Sequence, residues 1–129
     1  MFKRFMLQLS VAVGGLVPVI AGAAGVFLGP NFVGESVDAA GDSHFRYLSG
    51  LLLALGLGFW STIPRIEEMG PRFRLLTFIV FVGGLARLLS LAIVGIPTVG
   101  MLCALPMELG VTPLLCWWQW RLSRRTSKM

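Results

Sequence analysis

Residues 74–120, RLLTFIVFVGGLARLLSLAIVGIPTVGMLCALPMELGVTPLLCWWQW, decide the fold. They read as two apolar helices, over residues 74–94 and 97–120, joined by the turn Gly95-Ile96-Pro97-Thr98. Each is long enough to cross a hydrocarbon core of about 30 Å. Each also carries one ionisable residue in its apolar interior, Arg87 in the first and Glu108 in the second. A charge at that depth is costly, so it turns to protein or water and takes a partner. Counted from the turn, Arg87 lies roughly 9 Å down its helix and Glu108 roughly 15 Å down the other, a gap of about one turn. Helical side chains lean toward their own N-terminus. In antiparallel helices that brings the two heads together, so the spacing predicts a buried Arg87–Glu108 ion pair.

The composition agrees with a membrane protein. Of the 129 residues 56% are hydrophobic and only 13% are charged, a balance that no soluble domain of this size could bury. A sequence pI near 10.3 raises the question of nucleic acid. The position of the basic residues answers it differently, because they mark one side of a membrane, and no nucleic-acid partner is expected. Cys103 and Cys116 fall on one helix, roughly 20 Å apart, beyond disulfide reach. They read as small apolar fillers.

Working outward, residues 5–28 form an apolar run after a short basic start. Ala21-Gly22-Ala23 resembles a signal-peptide cleavage site, but the run is long for a signal core and long enough to span, so it reads as a retained first helix. Gly14, Pro18, Gly22 and Gly25 share roughly one side of it, suited to close packing. Gly29-Pro30-Asn31 ends it. A loop to about His44 holds Glu35, Asp38 and Asp42, with Asp42 or Ser43 as the expected cap of a second helix over residues 45–63. On that helix Arg46, Gly50, Ala54 and Gly58 make the expected packing stripe. A connection with the turn signal Gly70-Pro71 leads to the third helix, and Pro106 and Pro113 should kink the fourth.

Nine of the 11 Lys and Arg lie at the N-terminus, in the connection between the second and third helices, or in the tail. Four spans put all three on one side, which the positive-inside rule makes cytoplasmic. Trp60, Trp117, Trp118 and Trp120 are then an aromatic belt at that interface. The expectation is one all-α integral membrane domain, a four-transmembrane-helix bundle with both termini in the cytoplasm.

That topology puts Asp42, His44, Arg46 and Tyr47 at the outer mouth and Arg87 and Glu108 below them. Two arginines, a carboxylate and an imidazole could hold an anionic headgroup. Each residue also has a plainer use. Arg46 could snorkel to lipid phosphates, Asp42 cap a helix, His44 and Tyr47 lie at the interface, and the Arg87–Glu108 pair fix helix register with no ligand. A single histidine and scattered carboxylates give no metal-ligand spacing, and two-histidine haem ligation is impossible within one chain. No metal or cofactor is expected.

The stretches Asp42-Ser43-His44-Phe45-Arg46-Tyr47-Leu48-Ser49-Gly50, Ile63-Pro64, Phe73-Arg74 and Gly83-Gly84-Leu85-Ala86-Arg87-Leu88-Leu89-Ser90 resemble one family. It is the group of small bacterial integral membrane proteins catalogued as domain of unknown function 4345. The similarity covers nearly the whole chain. It implies a four-helix, multi-pass protein of the bacterial inner (cytoplasmic) membrane and supplies no activity or catalytic residue.

Three functional readings follow. The first is a binding or accessory protein that holds a lipid-like or small anionic ligand, or docks to other membrane proteins or to itself. The second is a membrane enzyme acting on an amphiphile, with Glu108 in proton transfer. The third is a small oligomeric transporter, which the outer-half position of Glu108 beside Arg87 disfavours. The first is preferred, and catalysis is not assigned.

Overall fold

The computed structural model describes residues 1–129, all in helices and the turns that join them. Helix α1 is Phe2–Leu28, α2 is Ala39–Trp60 and α3 is Gly70–Val94. The last span is built in three parts: α4 at Val99–Pro106, a π-helical turn at Met107–Val111, and α5 at Thr112–Thr126. Four helical stretches are long and apolar enough to cross a membrane, which makes this a multi-pass membrane protein. Most of their apolar surface points outward, as with Phe78, Ile93 and Val94. Lipid, not a large internal core, is the solvent that this surface suits.

Several boundaries differ from the expected ones. Helix α2 starts at Ala39, before the expected residue 45, because Asp38 is the cap: its carboxylate accepts the Gly41 N–H at 2.8 Å. Asp42 therefore sits in the first turn, and neither it nor Ser43 is the cap. At its other end α2 stops at Trp60, and Ile63–Arg65 forms a short 3-10 turn around Pro64. Gly70-Pro71 opens α3 instead of preceding it, since a proline fits the first helical turn, where its missing N–H has no partner to lose. Pro97 lies just before the last span, which begins at Val99. That span also continues past Trp120 to Thr126, carried by Trp117–Arg121 and Trp120–Arg124 pairs spaced four apart.

Contacts divide the chain into two compact units, residues 9–63 and residues 1–8 with 64–129. In the first, α1 and α2 pack through small residues. A Cβ on Gly22 would lie 2.5 Å from the Leu53 nitrogen and 2.8 Å from the Ser49 carbonyl oxygen, so the two backbones touch there. Gly56 faces Val19 and Pro18 in the same way, and the Trp60 indole covers Gly15 while donating to the Ala12 carbonyl at 3.1 Å. The contact stripe on α2 is thus Ser49, Leu53, Gly56 and Trp60. Of the expected stripe Arg46, Gly50, Ala54 and Gly58, Arg46 does reach α1 through its guanidinium. Gly50, however, has only the tip of Val26 within reach and Ala54 is exposed, so the close backbone contact does not run along it. The true stripe is rotated by a residue because the apposed backbones meet where Gly22 stands, and four-residue spacing alone does not say which of two adjacent stripes that is.

In the second unit Ile66 and Phe73 are fully buried, and Arg4 ties residues 1–8 to the turn before α3. Its Nη2 donates to the Pro64 carbonyl at 3.2 Å and its Nε lies 3.8 Å from Glu67 Oε1.

The contact at Gly22 is against backbone, which cannot swing aside. Gly22→Ala should destabilise the detergent-solubilised protein by about 1–3 kcal/mol through overpacking. Gly14→Ala, with nothing within 4 Å, should be near neutral. Thermal unfolding of the two variants side by side measures the difference.

Candidate functional site

The last span carries two prolines seven residues apart, and the turn between them is where Glu108 sits. Pro113 has no N–H for the Leu109 carbonyl, and its ring would press on that carbonyl in a regular α-helix. A widened turn accommodates this. The Thr112 N–H reaches back to the Met107 carbonyl, and its hydroxyl donates to the same oxygen at 2.8 Å. The extra residue held in such a turn changes which side of the helix the following and preceding side chains share.

On the facing helix the matching feature is Gly84. A Cβ there would lie 2.8 Å from Leu109 Cδ2 and 3.0 Å from Glu108 Cβ, so the last span rests directly on α3 at this level. Gly83, beside it, has nothing within 4 Å and plays no such part. Arg87 lies one turn beyond Gly84. Its Nε donates to Glu108 Oε2 at 3.1 Å and its Nη2 to Glu108 Oε1 at 3.2 Å, a two-pronged pair across the two helices. The pair is half-buried, with 33% of the Arg87 side chain and 17% of the Glu108 side chain exposed. The Arg87 Nη1 nitrogen has no protein partner.

A second ion pair lies in the unit of residues 9–63. Helix α1 ends at Leu28, where Gly29 adopts φ +70, and Pro30 follows. Pro30 has no N–H to offer the Val26 carbonyl four residues back. Arg46 supplies the missing donor: its Nη1 bonds the Val26 carbonyl at 2.6 Å and the Phe27 carbonyl at 3.3 Å. Asp42, one turn earlier on α2, holds Arg46 Nε at 2.8 Å. A cation thus closes the negative end of α1. Gly29 lies under this pair, where a Cβ would meet Arg46 Nη2 and Asp42 Oδ1. His44 and Tyr47, on the same helix, are exposed. The six residues singled out from the sequence therefore form one pair per unit, Arg87 with Glu108 and Arg46 with Asp42, with His44 and Tyr47 unpaired.

A family model described as a domain of unknown function (DUF4345) matches residues 6–119. The chain belongs to that family. No curated protein and no solved structure matches it. Membership of DUF4345 names no activity and leaves the chemistry to the residues themselves.

Some features of this DUF4345 chain had little or no signal in the sequence. Gln119 is fully buried, and its Nε2 donates to the Ile66 carbonyl at 2.7 Å while Oε1 has no partner. One amide among three tryptophans is the only hint of it. The closing of α1 by Arg46 had a clearer signal: a proline four residues after Val26 announces an unclaimed carbonyl. Cys103 and Cys116 are free thiols.

Removing either member of the Arg87–Glu108 pair leaves a lone charge at the depth of the spans. Arg87→Ala and Glu108→Ala should each lower thermal stability in detergent, and the double variant should cost less than their sum. The coupling should be on the order of 1 kcal/mol, toward the lower end for charges in contact because the pair is part-exposed. A thermal double-mutant cycle reads it, and strict additivity would count against an energetic pair.

Proposed function

We propose that this is a binding or accessory protein of the bacterial inner membrane, with both termini cytoplasmic, that presents Arg87 in the outer half of its spans to a lipid-like or small anionic ligand. The observation that carries this reading is the half-open ion pair. Glu108 holds the guanidinium in one orientation through two of its nitrogens, leaving Nη1 unpartnered and a third of the side chain exposed. A donor left unpartnered among apolar spans favours any neighbour that brings an acceptor. An anionic group meets that need best, because charge-assisted hydrogen bonds are stronger than neutral ones and the planar guanidinium is already fixed.

The readings that need Glu108 as a proton-transfer group gain less support. Both its oxygens are engaged by Arg87, so neither is free to face a substrate proton. Arg46 is engaged in closing α1, so Arg87 is the donor on which the ligand reading rests. The orientation rests on the basic residues alone, nine of 11 of which four spans place on one side.

Native mass spectrometry of the gently solubilised protein tests the ligand. The wild type should retain an anionic amphiphile or small anion, and the charge-neutral double variant Arg87→Gln/Glu108→Gln should hold at least tenfold less. Equal retention by both would sink the proposal. For orientation, a thiol placed by Ser36→Cys on a Cys103→Ser/Cys116→Ser background should react with an impermeant maleimide added outside intact spheroplasts. Reaction only after permeabilisation would invert the topology.

A further inference from the structure

At the opposite end of the last span from Glu108, within the unit of residues 1–8 and 64–129, α5 passes from apolar to basic sequence. There Lys3, Trp117, Trp118, Arg121, Leu122 and Arg125 line a half-open groove of about 260 Å³. Its lining contains three cations and no carboxylate. Lys3, Arg121 and Arg125 enter none of the ion pairs made by Arg4, Arg46 and Arg87. Arg121 is nonetheless held in place, with its guanidinium 4.5 Å from the centre of the Trp117 ring. Trp118 and Leu122 supply an apolar wall. None of residues 109–129 is acidic, so no carboxylate side chain within a turn of Arg121 or Arg125 on α5 competes for them.

We propose that this groove is a binding site for one anionic phospholipid of the surrounding bilayer. The phosphate-bearing headgroup lies between Lys3, Arg121 and Arg125, and the glycerol and upper acyl carbons lie against Trp117, Trp118 and Leu122. Three arguments select this occupant. The first is charge: a phosphate diester brings the acceptors that three unpaired cations lack. The second is position: the cations lie within about two helical turns of the last apolar span, the depth at which lipid headgroups sit, and indole rings favour that boundary. The third is size: the groove is smaller than the roughly 300–1,000 Å³ that enclose a drug-sized ligand, and it opens sideways, which suits a headgroup whose chains remain in the membrane. A soluble anion would use the cations and leave the tryptophan wall without purpose. This site is separate from the one proposed at Arg87, roughly 20 Å away along the last span, and stands or falls independently of it.

The test uses the full chain in bilayers of neutral phosphatidylcholine into which brominated phosphatidylglycerol or brominated phosphatidylcholine is titrated. Bromine quenches a tryptophan only on contact, so on a Trp60→Phe/Trp120→Phe background, used for every protein compared, Trp117 and Trp118 report occupancy of the groove. The wild type should bind the brominated phosphatidylglycerol at least tenfold more tightly than the brominated phosphatidylcholine. Each cation at an anionic lipid surface is worth about fivefold in binding, so Lys3→Gln/Arg121→Gln/Arg125→Gln should abolish the preference. Arg65→Gln/Arg124→Gln/Lys128→Gln, which removes the same charge outside the groove, should keep most of it. Equal quenching by the two lipids in the wild type would overturn the proposal without any variant. So would an equal loss in the two triple variants, which would show diffuse surface charge. Displacement of the lipid by millimolar inorganic phosphate would assign the groove to a free anion and likewise overturn it.

Discussion

A carboxylate and a guanidinium facing each other across two apolar helices constrain the second half of this protein. Glu108 and Arg87 can meet with two hydrogen bonds only if α3 and the last span approach closely just beside them. Gly84 permits that approach, and the π-helical turn at Met107–Val111 presents Glu108 to it. The turn in turn follows from Pro113, whose missing N–H and bulky ring make a regular α-turn unfavourable. One chemical requirement, that charges in an oily environment be matched, thus ties together a glycine, a proline and a backbone irregularity on different helices.

The unit of residues 9–63 meets the same kind of requirement at a helix end. The last carbonyls of α1 cannot all be closed from within, because Pro30 has no N–H to give. Arg46 reaches across from α2 to Val26 and Phe27, and Asp42 fixes Arg46. The close contact at Gly22 sets α2 near enough for that reach. Both units therefore combine a glycine-permitted approach with an arginine–carboxylate pair. They differ in what the arginine completes. In one it satisfies backbone and is a structural brace; in the other Nη1 is left unpartnered, and the functional reading attaches there.

Helix existence and the Arg87–Glu108 encounter were legible because they follow from counting: apolar run length, rise per residue, and the lean of side chains toward the N-terminus. Helix starts were less legible. Asp38 and Asp42 are both acceptable caps by residue type, and the backbone chose the one that two alanines follow. The packing stripe on α2 was misplaced by one residue, since small residues recur on two adjacent stripes and only the partner helix distinguishes them.

The amino-acid sequence by itself determined four apolar spans and an opposite-charge pair between the last two, because hydrophobic length and charge burial are properties of local composition. It also determined that the basic residues collect at alternate ends of those spans. The tertiary structure alone decided which glycines bring backbones together and that Arg46 closes α1 while Arg87 keeps a free face. It alone showed that Lys3 joins residues 117–125 around a groove. Those outcomes depend on distances between segments remote in sequence, and such distances are set when surfaces pack against one another, not by the pattern within any one of them.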